Sequence, residues 1–244
     1  MLPIQPEGNM YKSEKSSRNS NLKYSAAGFL SSLLLVFGFG YSNAEPSESI
    51  KLPEPRYRSN VSIEEALLYR RSVRDYWEAP LEIVEISQLL WAAQGVTDKE
   101  GHRTAPSAGA LYPLDIYLVV RNVNSLAAGT YKYKPEGHEL EKVMTENKWT
   151  GLCEAANNQA CVKTCAALIV ICAVYERSTV KYGERGVRYT HIEVGHAAQN
   201  IYLQAVSLNL GTVFVGGYDD RKVQKAMNLP DNEIPLCLMP VGRK

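Results

Sequence analysis

Apolar side chains recur every three or four positions in "PLEIVEISQLLWAAQGV", where Ile83, Ile86, Leu89, Leu90 and Ala93 share one face. That spacing predicts an amphipathic helix, with Pro80 near its start and Gly95 just past its end. A second helix is predicted over "SIEEALLYRRS", with Ile63, Ala66 and Leu67 as its stripe. Ser62, followed three residues later by Glu65, makes a capping box at its start. The period then changes. "DIYLVVRNV" is β-branched and aromatic and predicts a strand. "GTYKYKPEGHELEKV" holds two alternating runs around Pro135-Glu136-Gly137 and predicts a hairpin.

Beyond a predicted helix at 148–160, "AALIVICAVYER" is apolar without alternation, as a strand buried on both faces would be. The longest periodic stretch is "YTHIEVGHAAQNIYLQAVSLNLG". Val194, Ala197, Ala198, Ile201, Ala205 and Leu208 fall on one face, and Tyr202, Leu203, Val206 and Leu210 occupy the others. A helix apolar nearly all round is a buried one, so this is read as a central helix and a candidate dimer interface, ended by Gly211. "TVFVGG" then predicts a short strand, "DRKVQKAMNL" a helix and "PLCLMPVG" a last strand. Helices and strands mix without strict alternation, which gives an α+β class.

The first 44 residues do not fit that pattern. Lys12, Lys15, Arg18 and Lys23 precede an uncharged stretch from Tyr24 to Ala44, which closes on Ser42-Asn43-Ala44. A basic region, an apolar region and a small-residue site are the parts of a signal peptide, and cleavage is expected after Ala44. The alternative is an uncleaved membrane anchor over residues 24–44, since the stretch is near the length of a membrane span. Either way the protein is expected to be exported, to the periplasm or the exterior. Residues 45–60, rich in Pro and Ser, read as an exposed linker, and residues 61–244 as one domain with a sizeable core.

Composition narrows the function classes. The 244 residues carry a formal charge of +1, without the basic excess of a nucleic-acid binder. Five cysteines, Cys153, Cys161, Cys165, Cys172 and Cys237, are an odd number with no CxxC and make a poor disulfide framework. They read as small buried apolar residues, with room for one bridge in an oxidising compartment.

Chemistry concentrates in a few places. "RRSVRDYWEAPL" puts Arg70, Arg71 and Arg74 around Ser72. Such a cluster is either the solvated end of a helix, where cations favour the dipole, or a phosphate site, for which guanidinium forks are well shaped. "RTAPSAGALYPLDIYLVV" sets Pro106, Ser107, Ala108 and Gly109 in a loop before a strand, where small residues let backbone approach a flat ligand. "FVGGYDD" ends a strand on Gly216-Gly217, and "PVGRK" adds Arg243 and Lys244.

In this order, together with Lys181-Tyr182-Gly183 and "EVGHAAQNIYLQAVSLNLGTVFVGG", these segments resemble the nitroreductase-like family of FMN enzymes over residues 61–244. More narrowly they are similar to its thiazole/oxazole-forming (SagB-type) dehydrogenase branch. The resemblance implies a mostly antiparallel central sheet packed by helices, in a homodimer with a long buried interface helix and two FMN sites between subunits. It implies that Arg70 and Arg74 grip the phosphate, that Ser72 contacts phosphate or ribityl, and that Arg71 lends its backbone. Arg243 is a further cofactor contact by the same resemblance. Pro106, Ser107, Ala108 and Gly109 would lie near the isoalloxazine ring, in the family typically from the partner subunit, and Gly216 and Gly217 against it.

The resemblance also makes Lys181 and Tyr182 the catalytic pair of the azoline-oxidising enzymes, where a base removes a proton as flavin takes a hydride. A tyrosine, with an ordinary pKa of about 10, needs a neighbouring cation to act as a base near neutrality. The bland alternative is a loop pair with Lys181 in solvent and Tyr182 packed on its ring. His191 and His196 are five apart and do not stack on a helix as an i, i+4 pair would, so no metal site is expected. His102 lies before the flavin loop and is a candidate to face substrate. The function expected is therefore an FMN oxidoreductase acting on a small-molecule or peptide heterocycle. The alternatives are an NAD(P)H-dependent nitro or quinone reductase, and an exported flavin-binding module without turnover.

Overall fold

The structure is a computed structural model that describes residues 49–144 and 148–244. The expected leader lies outside the described residues. Among those described, no helix is long and apolar enough to cross a membrane.

In chain order the elements are β1 (Ser49–Lys51), α1 (Ile63–Tyr69), β2 (Leu81–Glu82), α2 (Ile83–Gln94), β3 (Leu114–Val120), β4 (Val123–Asn124), β5 (Gly129–Lys134) and β6 (Glu139–Met144). Then follow α3 (Trp149–Ala155), α4 (Ala160–Thr164), β7 (Ala167–Ala173), α5 (Glu176–Tyr182), α6 (Arg185–Ser207), β8 (Leu210–Thr212), α7 (Asp220–Met227) and β9 (Ile234–Arg243). Seven strands form one sheet in the order β1-β6-β5-β3-β7-β9-β8, antiparallel at every pairing, while β2 and β4 make a small parallel pair. The expected α+β class with a mostly antiparallel sheet is what the chain forms.

The continuous apolar run of β7 has a plain cause. Ala167, Ile169, Ile171 and Ala173 point to the core under α2 and α6, whereas Leu168, Val170 and Cys172 point to a second core under α3, α4 and α7. Successive strand side chains face opposite ways, so a strand with helices on both sides has no polar face. All five cysteines are buried free thiols, and burial raises each thiol pKa.

Several boundaries differ from expectation, each for a local reason. The expected linker is partly a strand: Ile50 pairs with Leu140 at the sheet edge, and Leu52 is buried in the core. The single helix expected at 148–160 is two short ones, because Asn157 and Asn158 both turn left-handed, with φ of 54° and 56°. Asparagine tolerates that region better than other non-glycine residues.

Helix α6 ends at Ser207, where Asn209 turns left-handed with φ of 54°, and Gly211 lies inside β8. Nor is α6 covered all round. It buries one stripe, including Glu193, Val194, Ala197, Ala198, Ile201, Tyr202 and Ala205, within its own chain. Ile192 is exposed, and Leu203 and Val206 are half-buried. The expected interface helix is thus first a core helix.

Candidate functional site

The arginine-rich segment is laid across the sheet edge by two glycines. Gly211 of β8 and Gly242 of β9 face each other in register. A Cβ on Gly211 would come within 2.7 Å of Val73 Cγ1, and one on Gly242 within 2.6 Å of the Tyr76 ring. Lacking side chains, the pair leaves a shallow channel that Val73 and Tyr76 fill. The Val73 N–H donates to the Thr212 carbonyl at 2.9 Å, the Tyr76 hydroxyl donates to the Val73 carbonyl at 2.7 Å, and the Trp77 N–H donates to the Arg243 carbonyl at 3.0 Å. Residues 73–77 are therefore fixed, and the polar residues just before them are held at the C-terminal end of α1.

Around that end the donors separate. Arg71 turns back, donating from Nη1 to the carbonyls of Leu68 and Arg70 at 3.0 and 2.7 Å, so its side chain serves the helix terminus. Arg70 lies over the Tyr202 ring, 5.1 Å from the centroid. The Tyr202 hydroxyl is 3.0 Å from Ser72 Oγ and accepts the Phe214 N–H at 2.7 Å. Tyr202 thereby ties the arginine segment to the strand end that leads into Gly216-Gly217. Both of those glycines are exposed, and Gly217 offers its carbonyl to Gln159 Nε2 at 2.8 Å. Among the described residues, no carboxylate pairs with Arg70 or Arg74. Tyr202 thus gathers the Arg70 guanidinium and the Ser72 hydroxyl, donors of the kind that suit a phosphate, whereas Arg74, followed by Asp75, lies toward Tyr76 and Cys161.

Arg243 departs from expectation. Its Nη1 and Nη2 donate to the two carboxylate oxygens of Glu85 at 2.6 and 2.9 Å, and its Nε donates to the Pro80 carbonyl at 3.2 Å. In this structure the fork is taken by a carboxylate, and Arg243 ties the end of β9 to α2.

The loop and the Lys-Tyr pair do come together, and topology explains why. Leu114 at the start of β3 pairs with Ala173 at the end of β7, so the loop entering β3 and the helix leaving β7 share one end of the sheet. Lys181 and Tyr182 close α5; they are helical, not in a loop. Gly109, with φ of 66°, sits against them: a Cβ there would lie 2.5 Å from Tyr182 Oη and 2.9 Å from Lys181 Nζ. Lys181 Nζ is 5.4 Å from the Tyr182 ring centroid, and Tyr189 meets that ring edge-on at 5.1 Å. A cation and a phenol hydroxyl thus meet over a backbone without a side chain.

Beneath the loop is a carboxylate that the motif reading passed over. Glu193 is 2% exposed, accepts from Gln94 Nε2 at 3.4 Å and is hydrogen-bonded to Ser107. Burial pushes its pKa up to about 7, against the lowering pull of Ser107, Gln94 and the Arg103 charge. In sequence it stands between His191 and His196 and belongs to no catalytic motif. His191 instead lies 2.6 Å from the Tyr175 hydroxyl through Nε2. His102 is exposed in a turn with Asp98, 2.7 Å away, whose carboxylate raises the imidazole pKa.

A family model described as the Nitroreductase family matches residues 67–243. The chain is 47% identical over 195 residues to the nitroreductase-named protein MJ1384 of Methanocaldococcus jannaschii, covering 80% of this chain and 96% of that one. It is 34% identical over 170 residues to the microcin B17-processing protein McbC of Escherichia coli, covering 66% and 62% of the two chains. A chain of the solved E. coli microcin synthetase McbBCD complex with truncated pro-MccB17 bound matches with a TM-score of 0.63 at 28% identity, over 89% of this chain and 84% of that one. The NADPH-flavin oxidoreductase of Vibrio harveyi is 30% identical over 111 residues, 42% of this chain and 46% of its own.

Fold and relatives together define an oxidoreductase enzyme. The chain belongs to the Nitroreductase family, and its likeness to McbC carries the resemblance to the SagB-type branch as well.

Proposed function

We propose that this protein is an FMN-dependent oxidoreductase that oxidises a small-molecule or peptide heterocycle, with Tyr182 as the proton-handling group and Lys181 as its cation. The observation that carries this reading is the contact of Gly109 with both side chains. It joins the loop expected at the flavin to the pair expected to do acid–base work. Bound FMN would supply hydride acceptance at N5; the protein supplies position and charge.

Arg70, Arg74 and Ser72 would hold the phosphate, with Tyr202 fixing the first and third of them. The Tyr182 Oη would take the proton from the ring carbon next to the one that gives up a hydride, or return it in the reverse direction. The Lys181 ammonium supplies a positive charge beside the same stretch of backbone. The similarity to McbC, which processes a peptide, supports a heterocycle substrate. The similarity to the Vibrio harveyi flavin reductase supports a second reading, an NAD(P)H-dependent reductase with the same cofactor site.

The assembly is proposed to be a homodimer. α1 leaves apolar groups uncovered, with Ile63, Leu67, Leu68 and Tyr69 each more than half exposed. A second copy covering them would bring two cofactor sites to one interface. The proposed signal peptide, cleaved after Ala44, is checked by N-terminal sequencing of the exported protein.

The experiment that tests the cofactor site is reconstitution of the purified chain with FMN. One flavin should be held per chain, and the Arg70→Ala, Arg74→Ala double variant should lose it on dilution, since each charge-assisted hydrogen bond is worth about 1.5–3 kcal/mol. Full retention by the double variant would remove the phosphate assignment.

A further inference from the structure

Arg177 belongs to no motif, yet it joins the two halves of the candidate active site. It lies on α5, four residues before Lys181 and so on the same face of the helix. Its guanidinium grips Asp115 end-on, Nη1 to Oδ1 at 2.9 Å and Nη2 to Oδ2 at 3.0 Å, and Nη1 also donates to the Tyr112 carbonyl at 3.2 Å. Asp115 is in β3, and Tyr112 is in the loop that feeds it. One side chain therefore binds the helix of the Lys-Tyr pair, the strand and the loop of Gly109.

That loop needs holding. Gly109, Ala110 and Tyr112 have φ of 66°, 55° and 45°. For residues with a side chain this region costs of order 1–3 kcal/mol and persists only where the surroundings over-determine it. Tyr112 is over-determined at three points. Its N–H donates to Ser107 Oγ at 2.9 Å, its ring lies under Arg103 at 4.3 Å, and its carbonyl is taken by Arg177.

The anchor behind Arg177 is rigid too. Lys132 Nζ donates to Asp115 Oδ2 at 2.9 Å and to Glu233 Oε1 at 2.8 Å, and Glu233 Oε2 accepts the Tyr117 hydroxyl at 2.7 Å. Burial pushes the Asp115 pKa up, but the hydrogen bonds from Arg177 and Lys132 outweigh it and hold the carboxyl below its ordinary value.

We propose that Arg177 is a positioning residue: it clasps the Lys181-Tyr182 helix to the 106–113 loop through Asp115 and the Tyr112 carbonyl, so that the pair and the loop are set as one unit. This rests on the reading of Lys181 and Tyr182 given above. A plain stabilising ion pair would tie any two elements. This one ends on a carbonyl in the strained loop, one helical turn from the lysine.

The test uses the FMN-loaded protein with Arg177→Gln and Arg177→Lys. Amide hydrogen exchange followed by mass spectrometry should quicken together in residues 107–112 and 176–182 of Arg177→Gln, by about tenfold, while β3 and β7 stay protected. With an oxidisable donor, kcat should fall on the order of 10–100-fold with KM and flavin content unchanged. Arg177→Lys, which keeps a charge but not the fork, should recover part of both losses; it also carries the test if Arg177→Gln does not fold.

Faster exchange in only one of the two segments would overturn the clasp. So would wild-type kcat in Arg177→Gln, or a loss of kcat that merely follows loss of flavin. A wild-type rate in Tyr182→Phe is a different failure: it removes the acid–base reading, while the coupled exchange in Arg177→Gln would still support the clasp.

Discussion

Gly109 and Tyr182 touch so closely that the glycine can carry no side chain without moving the phenol: its Cβ would sit 2.5 Å from Tyr182 Oη. The two residues are far apart in sequence. They meet because β3 begins beside the place where β7 ends. The close approach leaves the tyrosine hydroxyl and the lysine ammonium facing bare backbone.

Gly109→Ala separates fold from function at this point. The atoms a methyl group would meet are the tips of two flexible side chains, which can swing aside at little cost. The left-handed φ of 66° adds a strain of about 1 kcal/mol for alanine. The melting temperature should therefore drop by only a few degrees. Turnover should fall on the order of 10–100-fold, because Lys181 and Tyr182 are displaced from their working positions. Paired calorimetry and steady-state kinetics check this, and a fully active variant would mean that the contact is incidental.

Glu193 gives a prediction in pH. Its pKa is raised from 4.5 to about 7 in the folded chain, so the folded state holds the proton more tightly than the unfolded state does. Stability from this group is therefore present below about pH 4.5 and is lost as pH rises through about 7. The loss is about 3 kcal/mol, at 1.36 kcal/mol per unit. Glu193→Gln cannot ionise, and it keeps an oxygen for Gln94. The groups that face this position are Gln94 on α2, Ser107 in the loop and the Arg103 charge. Urea unfolding at pH 5 and pH 8 should find the variant close to wild type at the lower pH and more stable at the higher. Equal gains at both values would contradict the buried-carboxylate account.

Much of the fold was legible because its signals are local. The 3.6-residue period of α2, the Ser62–Glu65 capping box and the hairpin around Pro135-Glu136-Gly137 each need only neighbours, and each formed. The unbroken apolar run of β7 correctly marked a strand covered on both faces. The arginine segment and the Lys-Tyr pair were visible as motifs.

Side-chain partnerships over long separations were not legible. Ser72 meets Tyr202 across 130 positions, Arg177 meets Asp115 across 62, and Arg243 is taken by Glu85 across 158. A cation near the C-terminus looks the same whether a carboxylate or a phosphate awaits it. Tyr202 read as one more apolar face of α6, since a period cannot distinguish a ring that packs from a hydroxyl that bridges. The edge strand β1 is too short to have a period at all.

The central claim is that Tyr182, with Lys181 beside it, handles the proton when the flavin is reduced, and the most direct measurement is the turnover of Tyr182→Phe with an azoline or other oxidisable heterocycle as donor. The fold and the flavin content should be unchanged. Turnover should fall by about 10²–10⁴, the usual size of a lost general acid–base contribution. Lys181→Ala should fall similarly, because the positive charge beside the phenol oxygen is gone. Photochemical reduction of the bound flavin should proceed normally in both. Wild-type turnover by flavin-loaded Tyr182→Phe would contradict the account.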